Sequence, residues 1–424
     1  MRHALRAAPP ALAFLLTASL PLAASGPLPP LTLAEAEARA LARNPSLAAA
    51  GLAVQAAGAR ARQAGRPPNP FLELEGENFG GLGGLRGTGA AEWTISVTQP
   101  IPLGTRLRAA REAGDRNREL LDLERERFRL DLLARTRAAF HRARIARERV
   151  ALGEEMLLLA EEFAETVRLR VEAGRAAPVE AIRAGIEVTR ARTALARARR
   201  ERAAARASLA ACWGATAPDF GVVEGSLPVP LSPPPWTETL AALACSPDAR
   251  LLAAARERAS AVSRHERARV VPDLELRVGR RRLAGTGDEG FVATLGLPLP
   301  LLDRNRGARR AAALEETRAR LAEEAGRSEL VAALRASFER LAAAEEELAA
   351  LREEVVPAAE RAFLLVETGY REGKFGFLEV LDARRDLALA RSLFLDTALE
   401  VLLARTDLQR RTAGMPALAG GEDR

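Results

Sequence analysis

The sequence is poor in the residues on which most catalytic and metal sites depend. Its 424 residues include two cysteines, three histidines and one tyrosine, and aromatic residues make up 4% of the chain. His3, His141 and His265 are far apart, and neither Cys-x-x-Cys nor His-Glu-x-x-His occurs. We therefore expect no enzyme activity, no cofactor and no dedicated metal site. Cys212 and Cys245 could form one disulfide in an oxidising compartment, a question that the sequence leaves open.

Long apolar runs are also missing. Beyond the first 25 residues, no stretch approaches the ~18 uninterrupted apolar residues of a membrane-spanning helix. Residues 1–25 carry Arg2 and Arg6, then an apolar run from Ala11 to Leu22, then small residues, which is the pattern of a secretory signal peptide. We predict an exported protein without a helical membrane anchor.

The net charge of +7 and the isoelectric point near 10.6 raise the question of a nucleic-acid partner. Nearly all the basic residues are arginines, and they alternate with glutamates along segments of helical character. Such interleaving is typical of a solvated helix surface with ion pairs. The low aromatic content leaves little to stack on bases. We predict no nucleic-acid partner.

The sequence contains an internal repeat, in which the same pattern of segments occurs twice. The extended segment NPFLELEGENF is matched about 200 residues later by VPDLELRVGRR, and TISVTQPIPLG is matched by VATLGLPLPLL. Gly174 and Gly373, each in a turn between two long helical segments, are separated by a similar interval. The predicted fold is mainly α with a small β part. It consists of two internal repeats, each with a β-strand pair and long coiled-coil helices.

Breaker residues and shifts in composition set the predicted boundaries. The signal peptide, the two repeats and a flexible tail are expected at 1–25, 26–225, 226–414 and 415–424. The strand pairs are predicted at about 70–101 and 271–300, and the long helix hairpins at about 103–213 and 303–411. Pro357 should kink or break the first helix of the second hairpin.

The strands alternate between apolar and polar residues, as Leu72 and Leu74 do with Glu73, Glu75 and Glu77. Four amphipathic strands cannot close a sheet in a membrane, where unpaired backbone groups cost several kcal/mol each. Three chains would supply twelve strands, within the range of outer-membrane barrels. The charged helices would then project from the barrel as an aqueous coiled-coil tube of twelve helices, four from each chain. The alternative is a secreted periplasmic coiled-coil scaffold or adaptor protein without a pore.

The stretch GYREGKFGFLEVLDARRDLALAR, with VVPAAERAF upstream, resembles the signature of the TolC-like outer-membrane efflux channels. PNPFLELEGENF and AEWTISVTQPIPLG are similar to the cobalt-zinc-cadmium resistance branch of that family. The resemblance covers nearly the whole mature chain. It implies a homotrimer in outer-membrane lipid that docks onto a periplasmic adaptor (membrane fusion) protein and an inner-membrane, proton-driven pump. It also implies passive exit of substrates. Heavy-metal cations are favoured, and drugs, solvents and a secreted polypeptide are the alternatives.

The resemblance also implies a periplasmic gate at the ends of the long helices. In the family, carboxylates six and nine positions after the glycine of the second turn ring the periplasmic mouth. These positions are Glu379 and Asp382 here, counted from Gly373. They lie on one helix face, and in a trimer they would form two acidic rings that favour cations. The structural alternative is that both are ordinary solvated acids.

A tip latch is implied by the same resemblance. Tyr370 and Glu180 match the family's linked tyrosine and acid. The family's arginine two positions after the second glycine is replaced by Phe375, so Lys374 is the candidate substitute. Arg183 is a second candidate, as a partner for an acid of the ring.

The turns EAGRAAP and REGKFGF are the expected docking surfaces for the adaptor. The residues assigned to this role are Gly174, Gly373, Arg371 and Glu372. Glycine is the default residue where a chain turns sharply between helices.

Overall fold

The computed structural model describes residues 28–413. The predicted signal peptide and the predicted tail at 415–424 lie outside the described residues. The helices and strands of the described part are α1 (Leu33–Arg43), α2 (Pro45–Ala64), β1 (Phe71–Glu77), β2 (Glu92–Pro102), α3 (Arg106–Glu172), α4 (Pro178–Ala211), α5 (Trp236–Leu243), α6 (Pro247–Ala268), β3 (Asp273–Leu283), β4 (Glu289–Gly296), α7 (Arg306–Ala350), α8 (Val356–Arg371) and α9 (Phe377–Arg411).

Local signals at the start of the chain fix where the first helices begin. Thr32 and Glu35 form a capping box, in which each side chain accepts a hydrogen bond from the other residue's backbone N–H. Asn44 then ends α1 and caps α2, because its side chain accepts from the Leu47 N–H at 3.0 Å while Pro45 takes the first helical position. The capping box and the helix break at Asn44–Pro45 are both read directly from the sequence.

The long helices form two hairpins. Helix α3 has 67 residues, about 100 Å at ~1.5 Å per residue, and it returns through α4. In the second hairpin, a π-helical turn at Leu351–Val355 separates α7 from α8. Pro357 follows that turn and lacks the N–H that a regular helix would donate backwards. The predicted break at Pro357 is confirmed as this widened turn.

The four strands form one antiparallel sheet in the order β1-β2-β3-β4, so that β2 and β3 join the two repeats. The register puts the apolar residues on one face, and this face is exposed from Leu72 on β1 to Phe291 and Leu295 on β4. The alternation predicted for β1, β2 and β3 is confirmed, and in β4 it is weaker, as expected, because Val292 lies on the same face as Thr294. Because the sheet is open, β1 and β4 are its edges, and each has one unpaired side.

The helical body is held by buried stripes along its helices. Helix α9 carries two buried rows with a spacing of seven, Val380, Leu387 and Val401 in one and Leu395 and Leu402 in the other. The predicted fold class, mainly helical with two repeats and a small sheet, is confirmed. Within residues 28–413, no helix is both long and apolar enough to cross a membrane.

A buried ion pair ties the segment between the repeats to this body. Arg405 of α9 donates to the Glu345 carboxylate of α7 at 2.7 Å and to the Val229 carbonyl at 2.8 Å. The Leu231 N–H donates to the same carboxylate at 3.0 Å. Both members of the pair are almost fully buried. Cys212 and Cys245 are free thiols, and no disulfide joins them.

Candidate functional site at the helical tip

The two predicted glycine turns meet at the end of the body farthest from the sheet, and we call this end the tip. Each turn is a Schellman motif, in which the residue after the glycine bonds back to the third-last helical carbonyl. Arg175 N donates to Arg170 O at 2.8 Å, and Lys374 N donates to Gly369 O at 2.7 Å. Gly174 and Gly373 have φ values of +67° and +81°, a region that favours glycine.

An aromatic cluster underlies the tip and joins the two hairpins. The Phe163 ring of α3 lies 5.5 Å from the Phe377 ring of α9 and 5.4 Å from the Tyr370 ring of α8. Val167 and Val380 complete the same buried cluster. Rings at such separations attract each other beyond their burial. The tip is therefore packed within one protomer.

Tyr370 connects three helices. Its hydroxyl donates to Glu180 of α4 at 3.4 Å, which is long for such a bond. Arg170 of α3 lies over its ring, 4.2 Å from the centroid, and donates to its carbonyl oxygen. Burial raises the pKa of Tyr370, so the hydroxyl remains a donor near neutral pH. The structure thus brings together Tyr370 and Glu180, and it adds Arg170, which sequence reasoning missed.

The two predicted gate acids are both exposed. Glu379 stands in the first turn of α9, and its Oε2 lies 2.7 Å from where a Cβ on Gly376 would be. A carboxylate there faces the positive end of the helix dipole. Asp382 is 74% exposed, and the nearest cation that faces it is Arg385, at 3.9 Å. Neither acid is engaged in the packing of a single protomer.

The other predicted latch residues do not join Tyr370. Lys374 pairs with Glu372 of its own turn at 2.7 Å, and it is not brought to Glu180. Arg183 is exposed, and within residues 28–413 it has no ion pair. Phe375 takes a different role from an arginine: its ring covers the Cα of Gly369, where an added Cβ would lie 2.3 Å from ring atom Cδ2. Arg371, assigned to docking, pairs with Glu367 at 3.0 Å.

A charged network above the gate acids was missed in the sequence. Glu187 of α4 accepts from Arg385 of α9 at 3.1 Å and from Arg190 at 2.8 Å. Arg384 is buried and donates to the Met156 carbonyl of α3 at 3.0 Å. Burial lowers the pKa of Arg384, and Glu187 opposes that shift. One signal in the sequence could have indicated this network. Arg384 is a charged residue on the apolar stripe of α9, on the same helix face as Leu381 and Ala388.

The side chains of the tip provide exposed charges and fix the shape of the two turns. Within the described residues, no group of three or more His, Cys, Asp or Glu side chains is placed to hold a metal ion. The exposed acids and arginines of the tip can attract or repel ions, while the aromatic cluster fixes the turns. The sheet with its exposed apolar face lies at one end of helices about 100 Å long, and the charged tip lies at the other.

Comparison with known proteins identifies the particular class. A model of the family described as outer membrane efflux protein matches residues 38–215 and 240–414, one segment in each repeat. The chain belongs to the outer membrane efflux protein family. It is therefore located in the outer membrane, with a large periplasmic part, and is not an enzyme.

The chain is also similar to a protein of established role. It is 31% identical over 201 residues to the cobalt-zinc-cadmium resistance protein CzcC of Cupriavidus metallidurans. The alignment spans 47% of this chain and 47% of that protein, so it reaches about half the length of this relative.

Solved structures share the fold. A membrane protein from Pseudomonas aeruginosa gives a TM-score of 0.77 at 22% identity, with 90% of this chain and 93% of that chain covered. CusC, whose structures are described as showing changes that accompany folding and transmembrane channel formation, gives a TM-score of 0.76 at 18% identity. The match covers 90% of this chain and 92% of that chain. At these identities the likeness concerns the fold alone.

Proposed function

We propose that this protein is the outer-membrane exit duct of a tripartite efflux system. Three copies form a twelve-stranded barrel that continues into a twelve-helix periplasmic tunnel. The duct is passive: substrates arrive from an inner-membrane, proton-driven pump through a periplasmic adaptor protein. The free energy of transport comes from that pump.

The observation that carries the proposal is the sheet. Its apolar face is exposed, its two edges are unpaired, and it stands at one end of helices about 100 Å long. Open edges are costly in lipid, and closing the sheet with two further copies removes them. Phe79 stacks on Trp93 of this face at 5.8 Å, near the loop between β1 and β2. Aromatic residues commonly mark the border of the apolar band of such barrels.

Heavy-metal cations are the proposed substrates. The support is the similarity to CzcC, whose name states cobalt, zinc and cadmium resistance. The acidic residues Glu379 and Asp382 fit this role, since rings of carboxylates favour cations. They form the proposed periplasmic gate, and the bond between Tyr370 and Glu180 is the proposed latch that holds it closed.

The tip turns are the proposed docking site of the adaptor. Gly174, Gly373, Arg371 and Glu372 shape this surface, and all lie in or beside the two Schellman turns. A direct check is cross-linking from a photoreactive residue placed at Arg175, with the same probe at the distant Leu82 as its control. The adaptor should be captured only from the tip.

The central experiment joins two measurements on the purified mature protein. Its mass in detergent should be that of a trimer, and in planar lipid bilayers it should give discrete, cation-selective conductance. A monomer or dimer without conductance would favour the periplasmic scaffold instead. Loss of zinc, cobalt and cadmium tolerance on deletion of the chain, with drug tolerance retained, would support the metal substrates. The reverse pattern would overturn them.

A further inference from the structure

The face of the sheet opposite the apolar one carries three acidic residues on β1 and two arginines on β3. The register puts Glu73, Glu75 and Glu77 of β1 on this face, with Arg277 and Arg281 of β3 two strands away. Between them, β2 contributes hydroxyl groups, the side chains of Thr94, Ser96 and Thr98. We call this surface the polar face.

Each arginine reaches across β2 to the acids of β1. Arg277 donates to Glu75 at 2.6 Å and to the Ser96 hydroxyl at 2.8 Å. Arg281 donates to Thr94 at 2.9 Å and approaches Glu77 at 3.0 Å. About a third or less of each arginine side chain is exposed, so both guanidinium groups are held within the sheet surface.

The balance of charge on the polar face is negative. Glu92 of β2 and Glu275 of β3 lie on the same face as the three acids of β1. Asp273 of β3 is a sixth carboxylate on this face, and it pairs with Arg106 of α3 at 2.6 Å. Six carboxylates therefore stand against three guanidinium groups, an excess of three negative charges in each chain. The two arginines that β3 contributes cancel part of the acidic field, and they do so over β1 and β2, where their guanidinium groups pair with Glu75, Glu77 and Glu92.

We propose that Arg277 and Arg281 are specificity-determining residues for the ions that pass along the polar face. They limit how strongly that face prefers cations, because their guanidinium groups are paired with its carboxylates on β1 and β2. The inference rests on the proposed function, in which this face lines the pore. It concerns the barrel and is independent of the acids at the tip.

The test is the reversal potential of single channels in a potassium chloride gradient at about 0.15 M ionic strength. Replacing Arg277→Gln and Arg281→Gln together should raise the potassium-to-chloride permeability ratio about two- to threefold, since a fixed charge acts on ions within a Debye length of ~8 Å. Arg277→Lys with Arg281→Lys keeps the charge and should keep the wild-type ratio. Glu73→Gln with Glu75→Gln should lower it.

The chain supplies a matched control on the same strand. Arg280 and Arg282 alternate with the two arginines and lie on the opposite face, where Arg280 pairs with Glu289. Arg280→Gln with Arg282→Gln removes the same charge from β3 and should leave the ratio unchanged. A shift as large as that of Arg277→Gln with Arg281→Gln would overturn the inference.

The outcomes separate this inference from the proposed function. A wild-type protein that fails to conduct would overturn the proposed function itself. A conducting wild type whose ratio is the same in the Arg277→Gln, Arg281→Gln variant would overturn only the inference. If that variant fails to insert, the Glu73→Gln, Glu75→Gln variant decides: a lower ratio supports the inference, and an unchanged ratio overturns it.

Discussion

The middle of the helical body and the tip use similar groups in different surroundings. In the middle, Arg405 and Glu345 are 2% and 6% exposed, and the pair makes two further hydrogen bonds with the backbone of Val229 and Leu231. At the tip, Asp382 is 74% exposed and faces Arg385 at 3.9 Å. A buried pair is costly to break, whereas an exposed pair contributes little. The middle is thus fixed by a buried pair, while the exposed charges of the tip can rearrange at small cost, as the proposed gate would require.

Breaking the buried pair should give the largest effect. Arg405→Met leaves the Glu345 carboxylate buried without its counter-charge, so we expect the free energy of unfolding to fall by about 3–5 kcal/mol. Thermal unfolding followed by circular dichroism in detergent measures this. The control is Arg318→Met on α7, whose exposed pair with Glu315 at 2.6 Å should contribute about 0–1 kcal/mol.

A second variant sharpens the argument. Adding Glu345→Gln to Arg405→Met removes the unpaired charge and keeps an acceptor for the Leu231 N–H. It should recover part of the lost stability. Equal losses for Arg405→Met and Arg318→Met would contradict the difference between the middle and the surface.

At the tip, the largest fall in the free energy of unfolding should come from a change in packing and not from the removal of a charge. Gly369→Ala would place a Cβ against the ring of Phe375, and such overpacking costs about 1–3 kcal/mol. Phe375→Ala in the same chain should restore stability. The control is Gly185→Ala in α4, where nothing lies within 4 Å of the new Cβ. That change should stabilise the helix by about 0.5–1 kcal/mol.

Thermal unfolding and limited proteolysis of the 371–377 turn measure these changes. A neutral Gly369→Ala variant would mean that the ring of Phe375 moves away freely. The turn would then be shaped by the backbone alone.

Much of the fold could be predicted because its signals are local. The capping box at Thr32, the alternation in β1 to β4 and the heptad rows of α9 each depend on residues close in sequence. The turns at Gly174 and Gly373 needed only glycine at the right interval. The break near Pro357 followed from its missing N–H, although the π-helical form of the break did not.

The contacts of the candidate site were harder to predict, because they join residues far apart in sequence. Glu187 and Arg385 come from different repeats, and no local pattern pairs them. Tyr370 and Glu180 were linked through the family resemblance and not through periodicity. Lys374 was predicted to take part in the latch, but in the structure it pairs with Glu372 of its own turn.

The latch should contribute a smaller free energy than the packing around it. Tyr370→Phe keeps the ring contacts with Phe163 and removes only the long bond to Glu180, so stability should fall by about 1 kcal/mol or less. If this bond holds the gate, single channels should open more often. Glu180→Gln keeps an acceptor oxygen and should change the opening less. Unchanged opening in Tyr370→Phe would remove the latch assignment.

Replacing the two proposed gate acids should change the free energy least, and the effect should be measured as a change in ion selectivity. Glu379→Ala with Asp382→Ala removes two exposed charges per chain and should lower the potassium-to-chloride permeability ratio or raise the open-state leak, by about two- to threefold. The control is Glu165→Ala with Glu172→Ala, two exposed acids of α3 that Arg168 already neutralises in part. Conductance and selectivity equal to wild type in the first variant would make Glu379 and Asp382 ordinary solvated acids. A change confined to that variant would make the exposed acids at the start of α9, and not exposed acids of the tip in general, the groups that select ions.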